Sequence, residues 1–397
     1  MRILLLNWKH PADALAGGAE VYVSSLASEW AAQGHSVDLL VPAATAAEAD
    51  SGEVHRALHH TISLGTPSNV IKMSTRLHRT YVRSRDSVQY FHAARNYLRA
   101  NKASYDFVVE SVSTRPFYAH SIVGEQAVVL YHQGAGAMWC QEFSPPVSWL
   151  GRWVLEPYWI RRLRGARVVA VSPSSQALLL AHGVAVEAVI APGIAALPKV
   201  DRRGVSPTPR VVFLGRLVAS KGPLEAMTAF SRIRAALPGA TLDILGDGYL
   251  VSTVRRNIVP GVAVHGFVSE SKKAEILARA DILLMPSHLE GWGIVAVEAA
   301  AFGVPVIAYR VPGLRDAVID GVTGLLTDAN PDALAEAAVS LLGDPERWLR
   351  TSLAAVAWAH GYTWGSVAKR WRSILERPSR ASAYIDPLAA RDDVGIA

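Results

Sequence analysis

A chain of 397 residues is long enough to bury two separate hydrophobic cores, so two domains are expected. Half of the residues are hydrophobic and only 19% are charged, which excludes an intrinsically disordered protein. The formal net charge of +6 indicates an anionic partner, and a nucleotide sugar, a phospholipid surface or a nucleic acid would each fit it.

Cysteine usage and hydropathy indicate the cellular compartment. Cys140 is the only cysteine, so an intrachain disulfide is excluded and a reducing compartment is expected. The first apolar run, residues 3–6, is interrupted by Asn7 and Lys9 before it could act as the apolar region of a signal peptide. No uninterrupted run of about eighteen apolar residues occurs, so no transmembrane helix is predicted. We expect a cytoplasmic protein, and a peripheral contact with the inner membrane surface stays open.

The first elements along the chain alternate as strand, helix and strand. Residues 1–6 predict a strand, residues 21–33 a helix and residues 37–41 a second strand. A turn containing Gly17 and Gly18 precedes the helix, but the G-x-G-x-x-G spacing that a nicotinamide cofactor favours is missing. A Gly-Gly turn alone is weak evidence for a ligand, because turns use glycine for ordinary backbone reasons.

Residues 70–100 predict a mostly helical, Arg-rich segment. At about 100° per residue, Lys72, Arg76, Arg79 and Arg83 fall on one face of this helix. Such a stripe could dock on anionic lipid headgroups. The alternative is a solvated basic face on a helix that packs in the first domain, and we prefer it because such faces are common.

Two apolar strands are predicted next, at residues 105–111 and 127–131. The second strand ends just before His132. A His at a strand end is placed for chemistry in a ligand crevice, and the alternative is a hydrogen-bonded structural His. Residues 139–153 contain aromatic and proline side chains that could line an acceptor pocket or pack a loop. The sequence leaves that choice open.

The alternation restarts after a Pro-containing linker, residues 194–209. Residues 211–214 predict a strand, Arg216 lies in the loop after it, and Lys221 precedes the next helix. Two cations at a strand-to-helix junction can neutralise a diphosphate, and the helix amides add to the same field. As isolated charges they would more often form surface salt bridges.

The strongest functional signal lies in residues 287–303, SHLEGWGIVAVEAAAFG. An apolar run at residues 281–285 precedes it and predicts a buried parallel strand. From about Ile294 the pattern becomes helical. The amides of Gly291 and Gly293 lie where this helix begins, so they suit a phosphate or a hydroxyl-rich ligand.

Glu290 and Glu298, separated by seven residues, frame this loop. With the residues that follow, they resemble the signature of the retaining family four glycosyltransferases with the GT-B fold. The run FLGRLVASKG, residues 213–222, resembles a second motif of that family. The resemblance implies an α/β protein with two Rossmann-like domains facing a central cleft. For either Glu alone, the alternative is a solvated residue that favours the helix dipole.

The resemblance also assigns roles to individual residues. It implies that Arg216 and Lys221 bind the donor diphosphate, that Glu290 orients the sugar hydroxyls and that Glu298 holds the ribose. His132 corresponds to a family His near the donor sugar. Trp292 stands where the family usually has Phe, which keeps an aromatic wall. Further donor contacts are implied for Gly17, Gly18, Gly215, Val268, Gly291, Trp292, Gly293, Ile294 and Val295.

The implied activity is transfer of a hexose-type sugar from a nucleotide diphosphate sugar to an acceptor hydroxyl of a small molecule, natural product or glycan. A nucleotide-sugar epimerase and a membrane-surface enzyme with a lipid-linked acceptor are the alternatives. No D-x-D triplet occurs, so no metal and no other cofactor is expected, and no nucleic acid partner is expected either. The expected domains are residues 1–193, a nucleotide-sugar domain at 210–361, a helix at 362–377 that crosses back to the first domain, and a tail at 378–397.

Overall fold

The computed structural model describes residues 1–9, 17–42, 77–82, 87–136, 138–195, 197–198, 200 and 204–376. Within them the chain forms two compact units. The first contains the described residues up to Gly193 and those from Trp364 onward, and the second runs from Ile194 to Thr363. Each unit has its own parallel sheet and its own hydrophobic core.

The first unit is built on seven parallel strands in the order β3-β2-β1-β4-β5-β6-β7. Its strands are β1 (Arg2–Leu6), β2 (Ser36–Pro42), β3 (Leu77–Val82), β4 (Phe107–Val112), β5 (Ala127–Tyr131), β6 (Arg167–Ala170) and β7 (Ala188–Val189). Its helices are α1 (Gly18–Ala32), α2 (Ser87–Asn101), α3 (His120–Val123), α4 (Met138–Glu142), α5 (Val147–Leu150), α6 (Glu156–Arg161), α7 (Pro173–Ala181) and, from the end of the chain, α15 (Trp364–Leu375).

Buried apolar strands and one aromatic contact hold the first unit together. All five residues of β5 are buried, as expected for a parallel strand covered on both faces. Helix α15 packs on α1, where Trp371 Nε1 donates to Tyr22 Oη over 2.8 Å and the rings of Trp30 and Trp371 meet edge to face. The last described helix therefore belongs to the first unit.

The predicted helix over residues 70–100 is wrong at residues 77–82. Residues 77–82 form strand β3, which pairs with β2 from Val37↔Leu77 to Pro42↔Val82. Arg79 lies in this strand, and Lys72, Arg76 and Arg83 lie outside the described residues. Pairing with β2 gives the backbone of β3 its hydrogen bonds, so the helical spacing of the basic residues does not decide the local structure.

The second unit has six parallel strands in the order β10-β9-β8-β11-β12-β13. Its strands are β8 (Arg210–Leu214), β9 (Thr241–Leu245), β10 (Val262–Gly266), β11 (Ile282–Met285), β12 (Val306–Tyr309) and β13 (Gly324–Thr327). Its helices are α8 (Pro223–Ala236), α9 (Val251–Arg256), α10 (Glu270–Arg279), α11 (Ile294–Ala301), α12 (Leu314–Ala317), α13 (Pro331–Leu342) and α14 (Pro345–Ala359).

The strand order of the second sheet determines where a ligand can bind. Successive strands run outward from β8 to β10, and the next strand, β11, pairs with β8 on its other side. The loops that leave β8 and β11 therefore diverge at one place, which is the topological switch point where open α/β sheets bind ligands. No helix in the described parts of either unit is long and apolar enough to cross a membrane.

Candidate functional site

A charged pair lies at the switch point of the second unit. Lys221 belongs to the short turn after β8, and Glu290 belongs to the loop after β11. Lys221 Nζ lies 2.6 Å from Glu290 Oε1 and donates a longer bond of 3.2 Å to the carbonyl of Leu289. The two side chains are only 17% and 14% exposed. The sheet thus brings together two predicted site residues that are 69 positions apart.

Two glycines allow the loops around this pair to approach. Gly222 has a φ of +65°, and a Cβ there would lie 2.4 Å from the carbonyl oxygen of Pro286. Gly313 has a φ of +85°, and a Cβ there would lie 2.4 Å from the carbonyl oxygen of Glu290. Both positions need a residue without a side chain, because the backbone is left-handed and the neighbouring atom is backbone.

Helix α11 begins beside Glu290 with its first amides free of any side-chain cap. Its N-cap residue, Gly293, has a φ of +91°, and no side chain caps the first turn. The amides of Ile294 and Val295 are therefore available to an acceptor such as a phosphate oxygen. Trp292 is buried before this turn, with its ring 5.4 Å from that of Tyr362, and its Nε1 has no partner among the described residues.

Glu298 lies further along α11 and is held by a lysine that sequence reasoning missed. Lys273 Nζ lies 3.1 Å from Glu298 Oε1 and 2.8 Å from Glu270 Oε2. Burial raises the pKa of Glu298, although the charge of Lys273 opposes that shift. Burial lowers the pKa of Lys273, but the two carboxylates outweigh it and raise the pKa above its ordinary value. This arrangement fixes the carboxylate of Glu298 between α10 and α11.

Arg216 and Gly215 occupy the loop directly after β8. The amide of Gly215 donates to the carbonyl of Leu245 over 3.0 Å, which holds this loop against the end of β9. Arg216 is half-buried, and in the part of the chain that the structure describes its side chain has no hydrogen bond or ion pair. Val268, which follows β10, is half-buried next to the strongly exposed Phe267.

A second polar cluster supports the same loop. Glu225, at the start of α8, lies 2.6 Å from His288 Nε2 and accepts a bond of 2.5 Å from Tyr309 Oη. The amide of His288 also donates to the carbonyl of Ser220 over 2.9 Å. Sequence reasoning missed this cluster, since its members are 63 and 84 positions apart. It positions the turn that carries Lys221 and the loop that carries Glu290.

His132 belongs to the first unit, at the end of β5. Its Nε2 lies 3.0 Å from Ser111 Oγ, and its carbonyl accepts from Ser175 Oγ over 2.7 Å. Burial lowers its pKa to about 3, so the imidazole is neutral at physiological pH. In this arrangement His132 can offer a hydrogen bond to a ligand but no charge.

Gly17 and Gly18 also belong to the first unit, where α1 begins. Glu20 is buried. Its Oε2 accepts a hydrogen bond of 2.8 Å from the amide of Gly17, and its Oε1 accepts one of 3.4 Å from Asn7 Nδ2. This is the acidic half of a capping box. Glu20 was missed as a residue of this region, although its place three positions after Gly17 is the sequence signal for such a cap.

Two family descriptions match consecutive parts of the chain. Residues 16–196 match Glycosyltransferase Family 4, and residues 202–356 match Glycosyl transferases group 1. The chain belongs to the group 1, family 4 glycosyltransferases. The predicted family is therefore confirmed, and the enzyme is a glycosyltransferase. The second match contains the Lys221–Glu290 pair, and the first contains His132.

The glycosyltransferase is similar to several known proteins. It is 27% identical to the glycogen synthase of Mycobacterium tuberculosis, over 89% of each chain. It is 34% identical to the D-inositol 3-phosphate glycosyltransferase of Segniliparus rotundus, over 42% of this chain and 39% of that protein. The crystal structure of Anabaena HepE in complex with UDP and glucose shares 17% identity, with a TM-score of 0.67 over 94% of this chain and 99% of that one. This likeness confirms the predicted α/β, GT-B fold.

Proposed function

We propose that the enzyme is a retaining glycosyltransferase that moves a hexose-type sugar from a nucleotide diphosphate sugar to an acceptor hydroxyl. One observation carries the proposal: the Lys221–Glu290 pair lies beside the uncapped start of α11, at the switch point of the sheet. A cation and helix amides suit a diphosphate, and a carboxylate suits sugar hydroxyls. The structure of HepE with UDP and glucose supports a donor of this class.

The chemistry follows from where charge develops. The bond between the anomeric carbon and the diphosphate breaks, the acceptor oxygen bonds to the same face of that carbon, and the proton of the acceptor hydroxyl passes to an oxygen of the leaving diphosphate. Negative charge grows on the leaving diphosphate, and fixed cations stabilise it there. Lys221, Arg216 and the amides of Ile294 and Val295 are the groups we assign to this task.

The contact between Lys221 and Glu290 suggests how donor binding prepares the site. A diphosphate would compete with the carboxylate for the ammonium, because both are anionic acceptors. When the donor diphosphate binds the ammonium of Lys221, the Oε1 atom of Glu290 becomes available to a sugar hydroxyl. Glu298, kept in place by Lys273, is assigned to the ribose hydroxyls. In this proposal the pair acts as a switch of hydrogen-bond partners.

The acceptor is proposed to be a small molecule, a natural product or a glycan. The relatives named glycogen synthase and D-inositol 3-phosphate glycosyltransferase have a glycan and a small hydroxyl-rich compound in their names, which supports that range. A lipid-linked acceptor is the second candidate.

Two measurements test the proposal. A thermal-shift panel of nucleotide diphosphates should raise the melting temperature for one base, since a ligand that binds only the folded protein stabilises it. Incubation with the matching nucleotide sugars should then release nucleotide only when an acceptor is present. A new epimer or free nucleotide formed without an acceptor would instead identify an epimerase.

A further inference from the structure

An exposed apolar surface covers one side of the helical segment Val147–Arg161 in the first unit. Three consecutive pieces form this segment: α5, a π-helical turn at Gly151–Leu155, and α6. The outward side chains are half exposed or more, and Trp149 and Trp153 reach 60% and 67%. The surface, here named the aromatic face, consists of Val147, Trp149, Leu150, Trp153, Val154 and Tyr158.

Contacts on the opposite side of the segment determine which way the aromatic face points. Gly151 is buried against Trp139, and a Cβ at this glycine would lie 2.1 Å from the indole ring. Glu156 is also buried, and its Oε2 accepts from the amide of Gly136 over 2.9 Å and from Trp139 Nε1 over 3.1 Å. These contacts anchor the segment without burying Trp149 or Trp153. A contiguous apolar patch that the core does not need marks an interaction site.

Two arginines contact the aromatic face. Arg152 lies with Cζ 4.9 Å from the centre of the Trp153 ring, and Arg162 Nη1 donates to Tyr158 Oη over 3.0 Å. Between residues 143 and 166 the sequence has one carboxylate, Glu156, and it is turned inward. The cations of this stretch are Arg152, Arg161, Arg162 and Arg164. An anionic partner is therefore complementary to this surface.

We propose that the aromatic face docks on the surface of an anionic lipid bilayer. Trp and Tyr favour the boundary between headgroups and acyl chains, where Leu150 and Val154 could insert. Arginine binds lipid phosphates with paired N–H groups, and each basic residue near an anionic surface adds to the attraction. An acidic protein would satisfy the arginines, but it would also need an apolar surface of matching shape. The boundary of an anionic bilayer supplies phosphates for the arginines and acyl chains for the apolar side chains at the same depth.

Vesicle sedimentation with the full chain tests this proposal. We expect the protein to sediment with vesicles of phosphatidylcholine and phosphatidylglycerol, and to stay in solution with phosphatidylcholine alone. Added salt should weaken the binding, because it screens the arginines. The double variant Trp149→Ser, Trp153→Ser should lower the partition coefficient roughly tenfold or more, since binding scales with inserted apolar area.

Matched variants distinguish vesicle binding by the aromatic face from nonspecific adsorption. Leu353→Ser removes an exposed apolar side chain from α14 of the second unit and should leave the binding unchanged. Arg152→Gln with Arg161→Gln should reduce the preference for anionic vesicles, whereas Arg279→Gln with Arg350→Gln, two exposed arginines of the second unit, should not. Melting temperatures close to that of the parent would show that every variant is folded.

Three results would overturn the proposal. The parent protein could remain in solution with anionic vesicles, it could bind neutral vesicles equally well, or the double tryptophan variant could bind like the parent. A parent dimer that becomes a monomer in the tryptophan variant, without vesicle binding, would assign the aromatic face to a second copy of the chain. None of these measurements uses sugar transfer, so they are independent of the proposed function.

Discussion

The polar side chains near the strand ends differ in burial between the two units. In the second unit Lys221 and Glu290 are paired but partly open to solvent. In the first unit His132 and Glu20 are buried, and their partners are inside the same unit. A partly open ion pair can exchange its partner for a ligand, whereas a buried polar group that leaves its partner loses a bond it cannot replace with water. We infer that a ligand can open the charged pair of the second unit, whereas His132 and Glu20 of the first unit keep their partners.

Removal of the cations is the strongest test of this contrast. Arg216→Ala and Lys221→Ala should each lower turnover roughly 100-fold, because each removes a fixed positive charge that we assign to stabilising the leaving diphosphate. Lys272→Ala, which removes an exposed cation of α10, is the matched control and should keep the parent rate. Initial rates and melting temperatures measure both effects. Parent-like rates in Arg216→Ala or Lys221→Ala would remove the diphosphate assignment.

Acidification tests the buried polar side chains of the first unit. His132 has an ordinary pKa of 6.5 and a folded pKa of about 3, so only the unfolded chain binds a proton between these values. Its contribution to stability is therefore complete above pH 6.5 and is lost as the pH falls toward 3. The loss by pH 5 should be about 2 kcal/mol. Urea unfolding of the parent and of His132→Gln at pH 7, 6 and 5 measures it as the difference between the two pH profiles.

A variant comparison assigns this acid sensitivity to one residue. His132→Gln can keep a bond to Ser111 and does not titrate, so its stability should fall less than that of the parent between pH 7 and 5. His92→Gln, at an exposed position of α2, should follow the parent. Burial raises the pKa of Glu110 to about 7, but Glu110 titrates in all three proteins, so its effect on stability cancels when their pH profiles are compared. Equal pH profiles for the parent and His132→Gln would contradict the prediction.

The two carboxylates of the second unit should separate binding from rate. Glu298→Gln should weaken nucleotide binding about tenfold, since it loses the charged hydrogen-bond acceptor that we assign to the ribose. Glu290→Gln should mainly lower the transfer rate, because its partner is assigned to be the sugar. Calorimetry with the nucleotide and single-turnover rates distinguish the two effects. If both variants bound nucleotide like the parent, this division of roles would be wrong.

A smaller effect is expected for Glu225, which contacts the loops without being assigned to the donor. Glu225→Gln keeps the shape but loses the charge that holds His288 and Tyr309. We expect unfolding free energy to fall by about 1 kcal/mol and turnover to fall less than in Lys221→Ala. Urea unfolding and initial rates measure the two quantities. A turnover loss as large as that of Lys221→Ala would place Glu225 in the donor site itself.

The smallest expected effect is that of metal removal. If Arg216, Lys221 and the α11 amides supply the charge at the diphosphate, incubation with EDTA should leave turnover unchanged. Rates measured before and after dialysis against EDTA test this. Activity that disappears and returns with magnesium would show that the second unit does not supply enough charge by itself.

Several elements could be predicted closely because local signals determine them. The helices Pro331–Leu342 and Pro345–Ala359 each begin with a proline behind a capping side chain, Asn330 or Asp344, and this start signal can be read from the sequence alone. Strand β5 was also predicted at its bounds, because a buried run of apolar residues is bounded by polar ones. Strand β3 was missed, because its pairing with β2 overrides the helical spacing of the basic residues around it.

The site shows the same division between local and long-range information. Motif spacing predicts Arg216, Lys221, Glu290 and Glu298 as candidate site residues, because each lies near a strand end or in the first turns of a helix. It could not find Lys273, Glu225 or His288 as their neighbours. These contacts connect segments that the parallel strand order brings together, and no periodicity within one segment encodes them.

The sequence by itself determined the alternation of strands and helices, the two glycine-rich loops of the second unit and the family to which they belong. Only the tertiary structure decided that Lys221 meets Glu290, that Glu298 is held by Lys273, and that Trp149 and Trp153 are left outside the core while Trp139 is packed beneath Gly151. The physical reason is that hydrophobicity and turn chemistry act over a few residues. Burial and charge pairing depend on which distant segments the sheet places side by side.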